Sequence, residues 1–258
     1  FGEIIVTKPV SPILIKPSKL VQLLGYAFFN ISGILSDLQP IILNPTKIPL
    51  TVSLLLEKGA DVHVADLKHP KDMHTIQFSY DIQQDSEGNI TTRDTYRPVI
   101  QEKYFHVFSH NFFMLPRDYV PSSTTPFNVT IKWEGFNKEE NLINSFGTND
   151  RNQRIVDTNE RSFHSAVFTG GDYRSNILDI KGNKAVFGIR GNWKVFKDST
   201  MINVLKRTLH VQRDFWKDHS QKYFAVTMTP TFLERGSSFQ GSGLTNSFAT
   251  SATNNQYL

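Results

Sequence analysis

The sequence predicts a mostly β protein, in which an N-terminal β-sandwich is followed by the beginning of an α+β domain. Three observations support this fold class. Apolar residues alternate with polar ones in many short segments up to residue 165, turn-forming residues separate these segments, and a long helical period occurs only after residue 166. Period-two alternation of β-branched and aromatic residues is typical of half-buried strands, and a series of short strands favours a sandwich.

Three segments of the first part show this alternation clearly. They are "MHTIQFSYDI" (73–82), "EKYFHVFSHNFF" (102–113) and "TPFNVTIKWEGF" (125–136). In the second of them we expect Tyr104, His106, Phe108, His110 and Phe112 to share one face of a strand. A fourth segment, "LLLEKGADVHVAD" (54–66), resembles half of an ankyrin repeat. No second copy follows it, so we interpret it as two strands joined by a glycine-containing turn.

The second part, residues 166–258, combines strands with one helix. The segments 184–196 and 222–232 have strand character, and apolar residues between them recur at about 3.6-residue spacing. We expect a helix over residues 199–218, with Asp198 or Ser199 as its N-cap. The pattern predicts that Val204, Leu205, Phe215 and Trp216 pack against strands that include Phe187 and Phe224. We therefore divide the chain into a sandwich domain, 1–165, and the start of a second domain, 166–258.

Composition excludes several classes of function. The chain has 258 residues, a net charge of +4 without a long Lys/Arg block, and no cysteine. We therefore expect no nucleic-acid partner, no disulfide and no thiolate chemistry. No apolar run approaches the roughly 18 residues of a membrane-spanning helix, so we expect no membrane span. The absence of cysteine fits a periplasmic or exported bacterial protein, with a cytoplasmic location as the alternative.

No residue is assigned to catalysis or to metal binding. His106 and His110 would lie about 13 Å apart on a strand, without a carboxylate between them, so we interpret both as structural. The sequence has no HExxH pair, no phosphate-binding glycine loop and no GxSxG elbow. The chain by itself therefore lacks a recognisable catalytic centre.

Six segments nevertheless occur in an order that resembles a known family. They are "NSFGTNDRNQ" (144–153), "AVFTGGDYR" (166–174), "AVFGIRGNWKVF" (185–196), "VQRDFWKD" (211–218), "YFAVTMTP" (223–230) and "SSFQGSGLTNSFA" (237–249). Together they resemble the zinc aminopeptidases of the glycyl aminopeptidase family, which is metallopeptidase family sixty-one. The resemblance covers about residues 70–258 and is strongest from residue 125 onward.

The resemblance implies a β-sandwich followed by a thermolysin-like catalytic domain. In such enzymes a helix with an HExxH motif supplies two zinc ligands and the general base. The chain stops at Leu258, before such a helix would be expected. We therefore expect the N-terminal portion of a zinc-dependent metallopeptidase that hydrolyses peptide bonds. The full-length protein would bind zinc and a peptide substrate, whereas this portion alone would hold no zinc and would be inactive.

The resemblance also implies a substrate-binding stretch. It makes "QGSGLTNSFA" (240–249) an extended edge of the active-site cleft, with Gly241, Gly243, Leu244, Thr245 and Asn246 facing the peptide. We expect its neighbouring strand to be the one around 223–228. Many family members have Gly-Leu-Glu-His here, and Thr245 departs from that pattern by removing the acidic group. Two alternatives stay open: a β-sandwich module that binds peptide or glycan, and a non-catalytic member of the family.

Overall fold

The computed structural model of the chain describes strands at 3–7, 28–30, 51–56 and 62–68, together with Gln84 and residues 88–113 and 125–257. This part of the chain is mostly β, and its strands form four sheets. In chain order the elements are β1 (Glu3–Thr7), β2 (Phe28–Asn30), β3 (Thr51–Leu56), β4 (Val62–Lys68), β5 (Val99–Ile100), β6 (Tyr104–Phe108), β7 (Pro126–Glu134), β8 (Asn141–Asn144), β9 (Gly147–Thr148), β10 (Asn152–Asn159), α1 (Glu160–His164), β11 (Val167–Gly171), β12 (Arg174–Ile180), β13 (Asn183–Ile189), α2 (Asp198–Trp216), β14 (Tyr223–Thr231), β15 (Phe239–Leu244) and β16 (Ser247–Thr253).

A β-sandwich forms the first half of the molecule. One of its sheets has the order β1-β7-β10 and the other has the order β5-β6-β11-β8-β9. Between them lies a core that is rich in aromatic side chains, including Phe105, Trp133, Phe163 and Phe168. The predicted alternation in β7 is confirmed, since its inward side chains are buried and the residues at both strand ends are exposed. The predicted sandwich is therefore present.

Strand β6 differs from its prediction. All five of its residues are buried, because its sheet is covered on both faces. The strand ends at Phe108, and Ser109–Asn111 forms a single 3₁₀ turn. His110 and Phe112 therefore leave the strand, and the prediction of one continuous alternating segment up to Phe112 was wrong at that end. The cause is local: Ser109 N–H donates to the carbonyl of Ala166, and the carbonyl of Ser109 then accepts from the N–H of Phe112 and Phe113.

Strand β11 links the sandwich to the rest of the chain. It follows the predicted boundary at residue 165, yet it pairs with β6 on one side and β8 on the other. The sandwich sheet therefore extends to Gly171. We propose a division into two domains, 1–165 and 166–258. This division would separate β11 from β6 and β8, the strands to which it is hydrogen-bonded.

The second half is built on a five-stranded mixed sheet with the order β12-β13-β14-β16-β15. Helix α2 covers part of one face, and its extent confirms the predicted 199–218 within two residues. Leu205 packs against the strand cluster as predicted, together with Met201, Ile202 and Leu209. The prediction was wrong for Val204, Phe215 and Trp216, which are 52%, 73% and 74% exposed.

The buried side of α2 is rotated relative to the prediction, and near the end of the helix Arg213, and not Phe215 or Trp216, lies on the inward side. Arg213 is buried, and its guanidinium donates to the carbonyls of Ile180 and Gln221. The helix also lacks the predicted side-chain cap. Lys197 is the N-cap residue, and Asp198 instead accepts two hydrogen bonds from Arg174.

The opposite face of this mixed sheet packs on the sandwich through many hydroxyl groups. Tyr173 and Thr229 share a buried hydrogen bond of 2.7 Å, and Ser145 and Ser247 share one of 2.8 Å. Apolar contacts such as Ile143 with Val186 lie beside these pairs. The three sheets therefore stack in layers, with a partly polar layer between the second and the third.

The fourth sheet, β2-β4-β3, confirms the two strands that we interpreted within residues 54–66, while the predicted turn between them lies outside the described residues. Strands β3 and β4 pair antiparallel, with Leu56 opposite His63. The predicted strand at 73–82 lies outside the described residues. Neither α-helix of the described part is long and apolar enough to cross a membrane.

Candidate functional site

The predicted substrate stretch forms a hairpin at the edge of the mixed sheet. Strand β15 pairs antiparallel with β16, so that Gly243 lies opposite Phe248 and Leu244 lies opposite Ser247. Strand β16 pairs in parallel with β14 on its other side. Among the strands that the structure describes, β15 therefore forms one edge of this sheet, and β12 forms the other. An edge strand presents a row of main-chain donors and acceptors on its outer side.

The neighbour of this edge strand differs from the prediction. We expected β15 to lie beside the strand around 223–228, but β16 is inserted between them. The reason is the turn at Thr245 and Asn246, where Asn246 has a φ of 47°. Asparagine tolerates this left-handed conformation better than most residues. The chain therefore reverses here, and "SFATSAT" returns as an inner strand.

The open part of β15 contains Gly241 and Gly243. Both glycines are exposed, and they lie on the same face of the sheet as Phe239 and Phe248. A Cβ atom on Gly241 would lie 2.7 Å from Cζ of Phe248, whereas a Cβ on Gly243 would have its nearest neighbour at 4.0 Å. Packing thus constrains residue 241 to be small, while position 243 faces open space.

The other three predicted residues form the fixed end of the hairpin. Leu244 is half-buried against Phe108, Val167 and Ala249. The N–H of Thr245 donates to the carbonyl of Ser165 over 2.7 Å.

Asn246 is held on two sides. Its carbonyl accepts from the N–H of Ala225 over 2.9 Å, and its Oδ1 accepts from Nε2 of Gln221 over 3.2 Å. These contacts fix the C-terminal end of strand β15. They also hold the turn that follows it against both the sandwich and β14.

The beginning of β15 is also anchored, by residues that the sequence did not suggest. Ser238 shares a hydrogen bond of 2.6 Å with Thr92, and Nε2 of Gln240 donates to Thr95 over 3.0 Å. Thr92 and Thr95 belong to the first half of the molecule. The signal in the sequence is weak, since Ser and Thr in a turn-rich segment are common. Strand β15 is therefore held at both ends, with its glycines between the anchors.

The histidines lie away from this edge strand and have the contacts of core side chains. His106 is buried, its ring lies 5.3 Å from that of Phe108, and burial lowers its pKa to about 4. Its Nδ1 is buried without a hydrogen-bond partner. The rings of His110 and His164 lie 5.6 Å apart, and burial lowers the pKa of each. Imidazoles in such surroundings are neutral at pH 7.

We tested whether the described residues fit a zinc ion, as the family resemblance suggests for a complete enzyme. Nowhere in the described ranges do three or more His, Asp or Glu side chains lie close enough together to hold a metal. Zinc requires three or four such donors. The described residues therefore do not fit a zinc centre.

A separate cleft of about 350 Å³ lies where the sandwich meets the mixed sheet. Residues from both halves line it, among them Ile90, Lys103, Tyr104, Arg190 and Phe232. The guanidinium of Arg190 lies 3.6 Å from the centre of the Tyr104 ring and forms two hydrogen bonds with Asp172. Burial raises the pKa of Tyr104, and Arg190 opposes that change. None of the five predicted substrate residues lines this cleft.

Comparisons with known proteins find similar folds among solved structures. The chain is similar to the crystal structure of an aminopeptidase N family protein from Idiomarina loihiensis, with a TM-score of 0.61 and 12% identity over 82% of this chain and 33% of that one. It also matches an M1 zinc metallopeptidase from Deinococcus radiodurans, with a TM-score of 0.40 and 9% identity over 80% of this chain and 49% of that one. No protein-family model and no curated protein matches.

The similarity to the first of these structures shows the fold alone. The chain spans about a third of the length of the first structure and about half of the second. The first structure is described as an aminopeptidase N family protein and the second as an M1 zinc metallopeptidase, and neither description names the glycyl aminopeptidase family that the motifs resemble.

Proposed function

We propose that this chain is the substrate-edge portion of a zinc-dependent aminopeptidase of the glycyl aminopeptidase type, which hydrolyses peptide bonds in a longer polypeptide. The observation that carries the proposal is the position of β15, a glycine-containing edge strand anchored at both ends. The ordered motifs from residue 125 onward and the aminopeptidase N-type fold support it. The absence of cysteine is the basis for proposing a periplasmic or exported location.

In this proposal β15 binds the peptide by strand addition. An extended peptide would hydrogen-bond through its main chain to the outer side of β15, and the side chains of that peptide would alternate above and below the sheet. Gly243 leaves room on one face for a peptide side chain, whereas the Phe248 ring already covers Gly241. The anchors at Thr245 and Gln240 hold the strand in the extended form before the peptide arrives. Binding to an ordered strand then costs less conformational entropy.

Recognition of the amino terminus would differ from that in many family members. Thr245 replaces the acidic residue, and its N–H is already bonded to Ser165. A neutral hydroxyl attracts an ammonium group more weakly than a carboxylate does. We therefore propose that main-chain pairing contributes more to substrate binding here than charge does.

The zinc chemistry belongs to residues outside this sequence in our proposal. The described part does not contain the donors for a metal centre. The 258-residue chain alone is therefore proposed to bind peptide without hydrolysing it. The same edge would serve a peptide-binding module or a non-catalytic relative, which are the alternatives to a complete enzyme.

The test compares the longer, zinc-loaded protein with two variants. Gly243→Val adds a side chain to the open face of β15, and we expect kcat/KM for an aminoacyl reporter to fall at least about tenfold at equal zinc content. The matched control is Ile177→Phe, which adds bulk at an exposed position of the opposite edge strand β12 and should leave turnover unchanged.

Two other outcomes would count against the proposal. Equal turnover by wild type and Gly243→Val would contradict the proposed role of β15 in substrate binding. A longer protein without any peptidase activity, whose peptide binding is still weakened by Gly243→Val, would instead support a non-catalytic binding protein.

A further inference from the structure

Helix α2 has a second apolar stripe in addition to the one that packs on the sheet. Val204, Val211 and Phe215 are 52%, 59% and 73% exposed, and Thr208 lies between them. The spacing from 204 to 208, 211 and 215 is four, three and four residues. At about 100° per residue, these four side chains fall within about 60° of the helix circumference. They therefore form a narrow line along the helix, which we call the outer stripe.

The outer stripe points away from the protein core. The inward residues Leu205 and Leu209 are covered by the sheet, and the centre of the outer stripe lies roughly 110° away from them around the helix. Single exposed apolar residues are ordinary, but an aligned row on a 19-residue helix is not. A spacing of four and three residues is that of the contact seam between two paired helices.

We propose that the outer stripe binds a second copy of this chain, with the two α2 helices antiparallel. Charge is the reason for this choice of partner. Arg207 and Asp214 lie seven residues apart on the same flank of the stripe, and both are exposed. In an antiparallel pair with two-fold symmetry, Arg207 of each copy faces Asp214 of the other.

The same two residues disfavour a parallel pair. In that arrangement Arg207 would face Gln212 of the second copy, which gives no charge pair. Lys181 and His219 both approach Oδ1 of Asp214, yet the Asp214 side chain remains 52% exposed. The antiparallel arrangement therefore uses a carboxylate that is still accessible to solvent.

The area buried between the two helices is small, so the dimer is weak. Four seam residues on each helix bury less than the roughly 800 Å² per partner of a standard interface. We therefore expect a dissociation constant in the micromolar range or weaker. This pairing is independent of the proposed peptidase function, since it uses the helix and not the edge strand.

The first experiment measures self-association of the 258-residue chain by sedimentation between about 10 µM and 1 mM. Wild type should shift from monomer towards dimer, and Val211→Glu should lower the association constant at least about tenfold. The matched control is Ser199→Glu, an exposed α2 position roughly 150° from the outer stripe that receives the same charge. A monomer at 1 mM, or equal association of wild type and Val211→Glu, would overturn the proposal.

Charge reversal tests the predicted partners. Arg207→Asp and Asp214→Arg should each weaken association about tenfold, because each places like charges opposite one another twice. The double variant should restore association to near the wild-type value. If the double variant is as weak as the single ones, Arg207 and Asp214 do not face each other and the antiparallel arrangement is wrong.

Cysteine cross-linking tests the relative direction of the two helices. The sequence contains no cysteine, so an introduced cysteine can form a disulfide only with its copy in the second chain. In the antiparallel pair two Thr208→Cys residues are offset by only about 4–5 Å along the axis, whereas two Val204→Cys residues are about 16 Å apart. Thr208→Cys should therefore form a disulfide dimer and Val204→Cys should not. Cross-linking of Val204→Cys as efficient as that of Thr208→Cys would indicate a parallel pair and contradict the proposal.

Discussion

The ring of Phe248 lies against the backbone of Gly241, so that a Cβ atom on Gly241 would lie 2.7 Å from Cζ of that ring. The two residues belong to adjacent strands of the edge hairpin. An aromatic ring that covers a glycine in the neighbouring strand is a known means of stabilising such a position. Gly243 has no comparable neighbour, so packing explains the glycine at 241 but not the one at 243.

Gly241→Val should lower the free energy of unfolding by about 1–2 kcal/mol, because the added side chain displaces the Phe248 ring. Gly243→Val should change it by less than about 0.5 kcal/mol or raise it, since valine favours strands. Urea unfolding of both variants is the measurement. In a Phe248→Ala background the cost of Gly241→Val should largely disappear. A persistent cost there would mean that the ring is not the obstacle.

Stability should fall between pH 7.5 and pH 5 because of His106. Its folded pKa of about 4 lies below the ordinary value of 6.5, so the unfolded state binds more protons as the pH falls. The contribution of neutral His106 to the free energy of unfolding is fully present above pH 6.5 and is lost as the pH falls to 4. At pH 5 the loss is about 2 kcal/mol. In His106→Phe, urea unfolding at both pH values should show a clearly smaller difference, and an unchanged difference would contradict this origin.

Arg213→Ala should destabilise the chain by about 1–3 kcal/mol. The buried guanidinium donates to the carbonyls of Ile180 and Gln221, and these acceptors would lose their partner. Lys206→Ala, on the exposed side of the same helix, is the control and should cost less than about 0.5 kcal/mol. Thermal unfolding followed by circular dichroism distinguishes the two. Equal effects would mean that Arg213 acts only through helix propensity.

Tyr173 and Thr229 should be energetically coupled, since their hydroxyls share a hydrogen bond of 2.7 Å between the sandwich and the mixed sheet. Tyr173→Phe and Thr229→Val should each cost about 1 kcal/mol. The double variant should cost less than the sum, with a coupling of about 0.5 kcal/mol or more. A double-mutant cycle in urea measures it, and strict additivity would show that the bond contributes nothing.

The sequence by itself predicted features that depend on local periodicity. Alternation identified β7, helical spacing identified α2 within two residues, and a glycine-containing segment identified the β3–β4 pair. Each of these signals is contained in about twenty consecutive residues or fewer. The sequence also identified residues 240–249 as a candidate substrate-binding stretch, through a family resemblance and not through periodicity.

Tertiary structure decided which faces and edges these elements use. Val204, Phe215 and Leu205 all fit a helical period, yet only Leu205 meets the sheet, because the orientation of α2 depends on strands distant in the sequence. Strand β11 pairs with β6, whose sequence lies about sixty residues earlier, and β16 separates β15 from β14. Strand order and edge position arise from hydrogen bonds between segments that are far apart in the chain. A local pattern carries no record of those partners, and so the position of β16 between β15 and β14 became visible only in three dimensions.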